Sequence, residues 1–199
     1  MNELLRLLPR VLACFLIGSI PFAVLAMKGT GVDILRAGSR NPGFNNVLRY
    51  SKSRAIVTLI GDLGKGAAAI LLFFRAGDAM WLGWLYGVAA VVGHCYSPFL
   101  KFNGGKGIAT SAGVMLVLYP LLAIAPLTAF TILRVTGAKL RWTEAGAIAS
   151  LASWLFFALL VFLFQSRQEG LYAVLTTAFL AWRHKRNFQI LAGTVQPQL

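Results

Sequence analysis

Long apolar stretches separated by short polar ones dominate this chain, and they limit what it can fold into. Four stretches approach the roughly 20 residues that a bilayer-spanning helix needs: Val11–Met27, Ala55–Phe74, Ala79–Ser97 and Ala145–Phe164. Only 13% of the 199 residues are charged, whereas about a quarter are charged in a typical soluble domain. The pattern therefore predicts an all-α integral membrane protein.

Three further apolar segments are too short for length alone to decide whether they cross the membrane, so the distribution of positive charge is used as well. They are Ile108–Tyr119, Leu121–Leu133 and Gly170–Trp182. Pro120 and Pro126 would also allow residues 108–133 to form one kinked span. With seven crossings, however, most of the 19 Lys and Arg residues fall on one side of the membrane, as the positive-inside rule requires of the cytoplasmic side.

We therefore predict a seven-helix bundle with its N-terminus outside and its C-terminus in the cytoplasm. The fourth and fifth helices are expected to be short and packed inside the bundle. Residues 1–199 are expected to form a single transmembrane domain. The first segment lacks a clear small-residue cleavage site, so we expect it to remain a span rather than be removed as a signal peptide.

The excess of positive charge indicates the kind of partner. The chain has 19 Lys and Arg against 6 Asp and Glu, but these cations lie between apolar spans rather than on a solvated basic face. This arrangement favours membrane topology, anionic lipid or a phosphorylated substrate, and argues against nucleic acid. Cys14 and Cys95 lie in apolar stretches, with no CxxC and no His/Cys cluster, so we interpret them as small core residues, with a thiol nucleophile or a metal pair as the alternative. No metal and no cofactor are expected.

The first polar cluster is the loop Gly38–Arg49 between the first two spans. Pro42 and Gly43 allow a tight turn, and the loop also holds three asparagines, Asn41, Asn45 and Asn46. The loop thus combines neutral hydrogen-bond donors, including Ser39, with a planar cation, Arg49. This combination resembles an anion-binding site. A capped cytoplasmic loop whose arginines fix the topology explains the same residues equally well.

The second cluster is the glycine-rich segment Gly104–Gly107, followed by Thr110 at the start of the fourth apolar segment. Glycines let backbone N–H groups approach a ligand, and a helix N-terminus favours negative charge. Lys106 adds a full positive charge there. The segment is not a Walker A loop, because Gly107 stands where Ser or Thr is required. We interpret it as a phosphate cradle, with a flexible interhelical turn as the alternative.

The third cluster, Arg183–Asn187, follows the last apolar segment. His184 and Asn187 are three residues apart and would share a face if the helix continues through them. Cations beside a membrane usually fix topology or bind anionic lipid, and this explanation suits Lys185 and Arg186.

Ionisable residues also occur inside the apolar segments. Asp62 and Lys65 are three residues apart on one helical face, and the cost of charge in a bilayer predicts that they face the bundle. They are either functional or a self-neutralising structural pair. Gly61, Gly64 and Gly66 would let another helix pack closely there. His94 either orients the glycine-rich segment or is a satisfied core histidine.

In this order, the clusters resemble the motifs of the PlsY family, bacterial membrane glycerol-3-phosphate acyltransferases that use acyl-phosphate. The family's GSGNPGATNVLR is similar to Gly38–Arg49, and its D-x-x-K-G to Asp62–Gly66. Its GHxxPxFxxFKGGKGVAT is similar to Gly93–Thr110, and its RHxxNIxRLLxGTE to Arg183–Thr194. The chain is identified as a divergent member of this family.

The resemblance implies transfer of a fatty acyl group from acyl-phosphate to the 1-hydroxyl of glycerol-3-phosphate, giving lysophosphatidic acid and phosphate. It implies three catalytic residues, Lys106, His184 and Asn187. The residues implied to bind substrate are Ser39, Asn41, Gly43, Asn46, Arg49, Gly104, Gly105, Gly107 and Thr110. Asp62, Lys65 and His94 would support them. The general base stays open between His184 and a phosphate oxygen of the substrate.

The same resemblance implies the location and the partners. The protein would be a multi-pass protein of the bacterial inner membrane with a cytoplasmic active site. Acyl-phosphate, glycerol-3-phosphate and membrane lipid would be its partners; the oligomeric state stays open, and a monomer is compatible with the sequence.

Several positions depart from the family pattern. They are Arg40, Phe44, Asn45, Asn103, Ile190, Val195 and Glu144, which stands where the family has a serine. Two cations of the family are thereby lost, and a carboxylate is placed near a phosphate site, which should weaken binding of a doubly charged substrate. These departures leave open a divergent paralogue that binds a phosphorylated lipid or metabolite without catalysis, or that acylates another acceptor.

Overall fold

The computed structural model describes residues 2–196, with side chains from Leu5 onward. Every regular element in that range is helical, which confirms the predicted all-α class. The chain forms two compact units, residues 2–118 and residues 119–196.

The first unit contains the three predicted N-terminal spans and the fourth apolar segment. Its helices are α1 (Asn2–Ser19), α2 (Phe22–Met27), α3 (Phe44–Val47), α4 (Lys52–Phe73), α5 (Met80–Cys95) and α6 (Ile108–Leu118). A single 3₁₀ turn, Pro98–Leu100, connects α5 to the glycine-rich segment. The 11 residues of α6 agree with the expectation that the fourth helix is short.

A break between α1 and α2 divides the first apolar segment, because Pro21 has no N–H and cannot continue the helix. Carbonyls at this break accept hydrogen bonds from side chains of other elements. The Ser97 hydroxyl donates to the Ser19 carbonyl at 2.7 Å, and the Lys65 ammonium donates to the Ile20 carbonyl at 2.9 Å. These hydrogen bonds therefore connect the α1–α2 break to α4 and to the residues that follow α5.

Two helix crossings in the first unit bring backbones into direct contact through glycine. Where α1 crosses α5, a Cβ on Gly18 would overlap the Ala90 carbonyl, and one on Gly93 would overlap the Phe15 carbonyl. The crossing of α4 and α6 is built the same way. There, Gly66 meets the Thr110 carbonyl, and Gly113 meets the Leu63 carbonyl. Small residues commonly permit such close approach between membrane helices.

The second unit consists of α7 (Pro120–Lys139), α8 (Ala145–Phe164), α9 (Arg167–Arg183) and α10 (Lys185–Leu191). The helix is interrupted at Tyr119, so Pro120 occupies the first helical position of α7, where a proline is well tolerated. The expectation of a short fifth helix is wrong, because α7 has 20 residues. It continues past Leu133 because no proline follows there, and its cationic last turn suits a helix C-terminus.

Within residues 2–196, four helical stretches are long and apolar enough to cross a membrane: Leu5–Met27, Lys52–Phe73, Pro120–Lys139 and Ala145–Phe164. Their outward faces carry exposed large apolar side chains, including Ile60 at 63%, Leu121 at 81% and Leu163 at 60% exposure. Such faces suit lipid rather than water. The seven crossings and the orientation of the termini stay predictions.

Candidate functional site

Asn46 organises the first polar loop. Its carboxamide oxygen accepts the Ser39 N–H at 3.0 Å, and its NH₂ group donates to the carbonyls of Ile34 at 3.1 Å and Ala37 at 3.0 Å. Only 1% of the residue is exposed. Both amide hydrogens are used inside the loop, and direct binding of substrate by Asn46 stays a prediction. Its role is to fold residues 34–46 into one shape.

Other residues of this loop are less buried than Asn46. Ser39, Asn41 and Gly43 are half-buried, and Arg49 is exposed. Gly43 has an extended backbone and precedes α3. The loop therefore presents a hydroxyl, an amide and a guanidinium on a backbone that Asn46 holds in place.

Asp62 and Lys65 lie in the interior of the first unit, as predicted. The Lys65 Nζ is 2.8 Å from Asp62 Oδ1, and both side chains are 3% exposed. His94 from α5 places its Nδ1 3.5 Å from the same carboxylate oxygen. One carboxylate thus holds a lysine from its own helix and a histidine from another helix.

The glycine-rich segment packs against His94. The Gly105 N–H donates to the His94 carbonyl and the Gly104 N–H to the Cys95 carbonyl, both at 3.1 Å. A Cβ on Gly104 would overlap the His94 carbonyl, and one on Gly105 would overlap the imidazole Nε2. Carbonyls at the end of α5 thus accept the hydrogens of these two N–H groups, and the assignment of Gly104 and Gly105 to substrate binding stays a prediction. The glycines are required for close packing, and His94 both contacts Asp62 and supports this segment.

The rest of the segment leads into α6. Gly107 has a φ of +88°, a left-handed conformation that favours glycine. Lys106 is half-buried at the start of the helix. Thr110 is 0% exposed at the crossing with α4, and its assignment to substrate binding stays a prediction.

A cavity of about 10 Å³ adjoins the ionic cluster. Its lining includes Asp62, Lys65, His94, Ser97 and Gly105. This volume matches the space needed for one water molecule. Ser97 was not a candidate in the sequence, and its position just before Pro98, where a helix cannot simply continue, is the signal that could have found it.

His184 and Asn187 are held together in the second unit at the junction of α9 and α10. The ring Nδ1 of His184 is 2.7 Å from the Leu180 carbonyl, one turn earlier. A carbonyl can only accept, so Nδ1 carries hydrogen and donates. The Asn187 N–H donates to the His184 carbonyl at 2.8 Å. Both residues are buried, at 3% and 7% exposure, whereas Lys185 and Arg186 are exposed.

Asn187 has a partner that the sequence motif does not include. Its Nδ2 donates to Oε2 of Glu144, the residue immediately before α8. Glu144 was singled out in the sequence only as a departure from the family pattern. A carboxylate replacing a small polar residue in a chain with six acidic residues is the signal that pointed to it.

Among residues 2–196, no group of three or more His, Cys, Asp or Glu residues is arranged to hold a metal ion.

Comparison with known proteins places these features in a family. The protein is 40% identical over 196 residues to a glycerol-3-phosphate acyltransferase of Burkholderia pseudomallei, covering 95% of this chain and 94% of that one. It is 39% identical over 187 residues to glycerol-3-phosphate acyltransferase 1 of Deinococcus radiodurans, covering 92% and 91% of the two chains.

Similarity also extends to solved structures. Two crystal structures of PlsY, an integral membrane glycerol 3-phosphate acyltransferase, superpose with TM-scores of 0.81 for the glycerol 3-phosphate form and 0.79 for the lysophosphatidic acid form. Each is 28% identical in sequence, and each match covers 96% of this chain and 95% of the other. The family described as "Glycerol-3-phosphate acyltransferase" matches residues 8–193. This chain, a multi-pass membrane protein, belongs to the glycerol-3-phosphate acyltransferase family.

Proposed function

We propose that this protein transfers a fatty acyl group from an acyl-phosphate to the 1-hydroxyl of glycerol-3-phosphate, producing lysophosphatidic acid and inorganic phosphate for phospholipid synthesis. The observation that carries the proposal is the family match over residues 8–193, together with relatives about 40% identical over nearly the whole chain. The comparisons give no support to a non-catalytic paralogue.

The acyl-phosphate donor is the one that the family resemblance implies, and the chemistry available is compatible with it. A thiol nucleophile is one common route for acyl transfer, but Cys14 and Cys95 are both 0% exposed. An acyl-phosphate is already activated, so the protein's main tasks would be to position two anionic substrates and neutralise their charge.

Roles for individual side chains are part of the proposal. Ser39, Arg49 and Lys106 would bind phosphate through a hydroxyl, a guanidinium and an ammonium group. His184 and Asn187 would bind glycerol-3-phosphate. Asp62, Lys65 and His94 would act as positioning residues for the glycine-rich segment, because His94 contacts both the carboxylate and Gly105.

The decisive experiment measures lysophosphatidic acid and released phosphate from purified protein with palmitoyl-phosphate and labelled glycerol-3-phosphate. Lys106→Ala is the test variant. Lys101→Ala is its matched control, because Lys101 is an exposed lysine five positions earlier in the same connection. We expect Lys106→Ala to lose at least about tenfold in kcat/KM, as expected when a charge-assisted contact is removed, and Lys101→Ala to stay near wild type.

A second donor separates the alternatives. Palmitoyl coenzyme A in place of palmitoyl-phosphate should give no product if the donor is an acyl-phosphate. Product from the coenzyme A ester alone would overturn the donor assignment while leaving the acyltransferase class intact. No product from either donor would overturn the proposed reaction.

The location is proposed as the bacterial inner membrane, with the active site facing the cytoplasm. The positive-inside rule supports this, since Lys28–Arg54 carries six cations and Arg75–Asp78 is balanced. Both native cysteines are buried, so single introduced cysteines can be labelled with a membrane-impermeant maleimide. Gly77→Cys should react in intact cells and Lys52→Cys only after lysis; the reverse pattern would invert the proposed topology.

A further inference from the structure

Glu144 combines a left-handed backbone with a side chain that bonds to a residue distant in sequence. Its φ of +58° and ψ of +31° lie in the left-handed region, which residues with a Cβ seldom occupy. It occupies the N-cap position of α8, where Ser, Thr, Asp or Asn is preferred and its side chain accepts a hydrogen bond from the first turn. The Glu144 side chain makes no such bond, although its carbonyl accepts from the N–H groups of Ala147 and Ile148. Outliers of this kind concentrate at functional sites.

The carboxylate instead reaches across 43 residues of sequence to the buried amide of Asn187. Glu144 is half-buried, and within residues 119–196 no Lys or Arg forms an ion pair with it. Asn187 in turn is linked to the His184 carbonyl. The second unit therefore presents a negatively charged acceptor beside the two residues proposed to bind glycerol-3-phosphate.

The chemistry of the acceptor substrate has two distinct ends. Its phosphate is anionic and is repelled by a carboxylate, whereas its glycerol hydroxyls are donors that a carboxylate accepts well. A carboxylate held by one amide can accept further hydrogen bonds, since it has about four lone-pair sites. Glu144 is thus suited to the hydroxyl end of the substrate and opposes its phosphate end.

We propose that Glu144, held by Asn187, orients the acceptor by accepting a hydrogen bond from its glycerol hydroxyls and by excluding phosphate from that position. This inference rests on the proposed function, because it presumes that His184 and Asn187 bind the acceptor. It assigns a specificity-determining role to a residue that departs from the family pattern. It also means that the product phosphate competes poorly at this position.

The test compares Glu144→Gln with wild type, because glutamine keeps the shape and can still accept from Asn187 but carries no charge. Glu169→Gln is the matched control: Glu169 lies in the same unit and pairs with Tyr119 and Ser166. Removing the charge should strengthen competitive inhibition by inorganic phosphate about tenfold, the effect of one like-charge contact. The same change should lower kcat for glycerol-3-phosphate about tenfold, since the hydroxyls lose their charged acceptor.

In Glu144→Gln, phosphate should bind more tightly while kcat falls. A purely structural role for Glu144 would instead weaken both phosphate binding and catalysis. If phosphate inhibition stays unchanged, or if phosphate affinity and kcat fall together, the inference is overturned. Glu144→Ser is the second variant should the glutamine variant fail to fold. If neither variant folds while Glu169→Gln does, Glu144 is a structural residue and the proposal fails.

Calorimetric binding keeps this inference separate from the proposed reaction. If the wild type makes no lysophosphatidic acid, the proposed reaction fails. Tighter binding of inorganic phosphate by Glu144→Gln than by wild type would still support Glu144 as an anion-excluding residue. Equal binding would overturn that as well.

Discussion

Replacing Asp62 by Asn tests whether the buried ion pair of α4 is held as a unit. The Asp62–Lys65 distance is 2.8 Å, and both side chains are 3% exposed. Removing one partner of a buried pair leaves an uncompensated charge and typically costs about 3–5 kcal/mol. In Asp62→Asn, Lys65 keeps its bond to the Ile20 carbonyl but loses its counter-charge.

Lys65→Met should lower the free energy of unfolding by less, near the lower end of that range. The Asp62 carboxylate loses its lysine but keeps His94 3.5 Å away, and the imidazole can bind it. The double variant Asp62→Asn/Lys65→Met removes both charges, and we expect it to lie within about 2 kcal/mol of wild type. The coupling energy would then be several kcal/mol, far beyond the few tenths expected of independent sites.

The assay is equilibrium unfolding in mixed detergent and SDS micelles, followed by circular dichroism. Asp33→Asn is the matched control, since Asp33 and Arg36 form a pair with the same spacing at 3.3 Å but with 54% and 89% exposed side chains. This surface pair should contribute no more than about 1 kcal/mol. A double variant that loses as much stability as Asp62→Asn and Lys65→Met combined would refute the reasoning.

Further predictions concern packing, the first loop and the glycine-rich segment. Gly66→Ala should lower the free energy of unfolding by about 1–3 kcal/mol, because the new methyl group would overlap the Thr110 carbonyl where α4 packs on α6. Gly64→Ala is its control: the added methyl would meet nothing within 4 Å, so the variant should be neutral or stabilising in the same unfolding assay. Asn46→Ala should lower the free energy of unfolding by about 1–3 kcal/mol and raise the protease sensitivity of residues 34–46, because three backbone groups lose their partner. Asn45→Ala, at the exposed neighbouring position, is the control, and equal protease sensitivity of the two variants would contradict the assigned role. Gly105→Ala should lower acyl transfer at least about tenfold by displacing His94 and the segment that bears Lys106, and wild-type kcat in this variant would show that the close packing is unnecessary for activity.

Helix positions and the buried ion pair could be predicted because they depend on local composition. Apolar length indicated where helices form, and the cost of charge in a bilayer indicated that Asp62 and Lys65 face inward. The length of α7 could not be predicted from the apolar segment Leu121–Leu133 alone, because the helix continues through polar residues to Lys139, and a cation suits a helix C-terminus.

The partners of individual groups could not be predicted in this way. Gly104 and Gly105 were interpreted as phosphate ligands because glycine exposes its N–H, yet the carbonyls of α5 accept those hydrogens. Asn46 similarly satisfies carbonyls within its own loop. The bond between Glu144 and Asn187 joins residues 43 positions apart, and no local pattern reports such a pairing.

The glycine crossings of the first unit also bear on how a lipid substrate reaches a polar site. An acyl chain entering sideways from the bilayer needs a gap between helices at least as wide as a methylene group. Where α1 meets α5 and where α4 meets α6, the backbones leave no space for a single added methyl. No lipid tail can pass at these two crossings, so the acyl chain of the donor must approach by a route that avoids them.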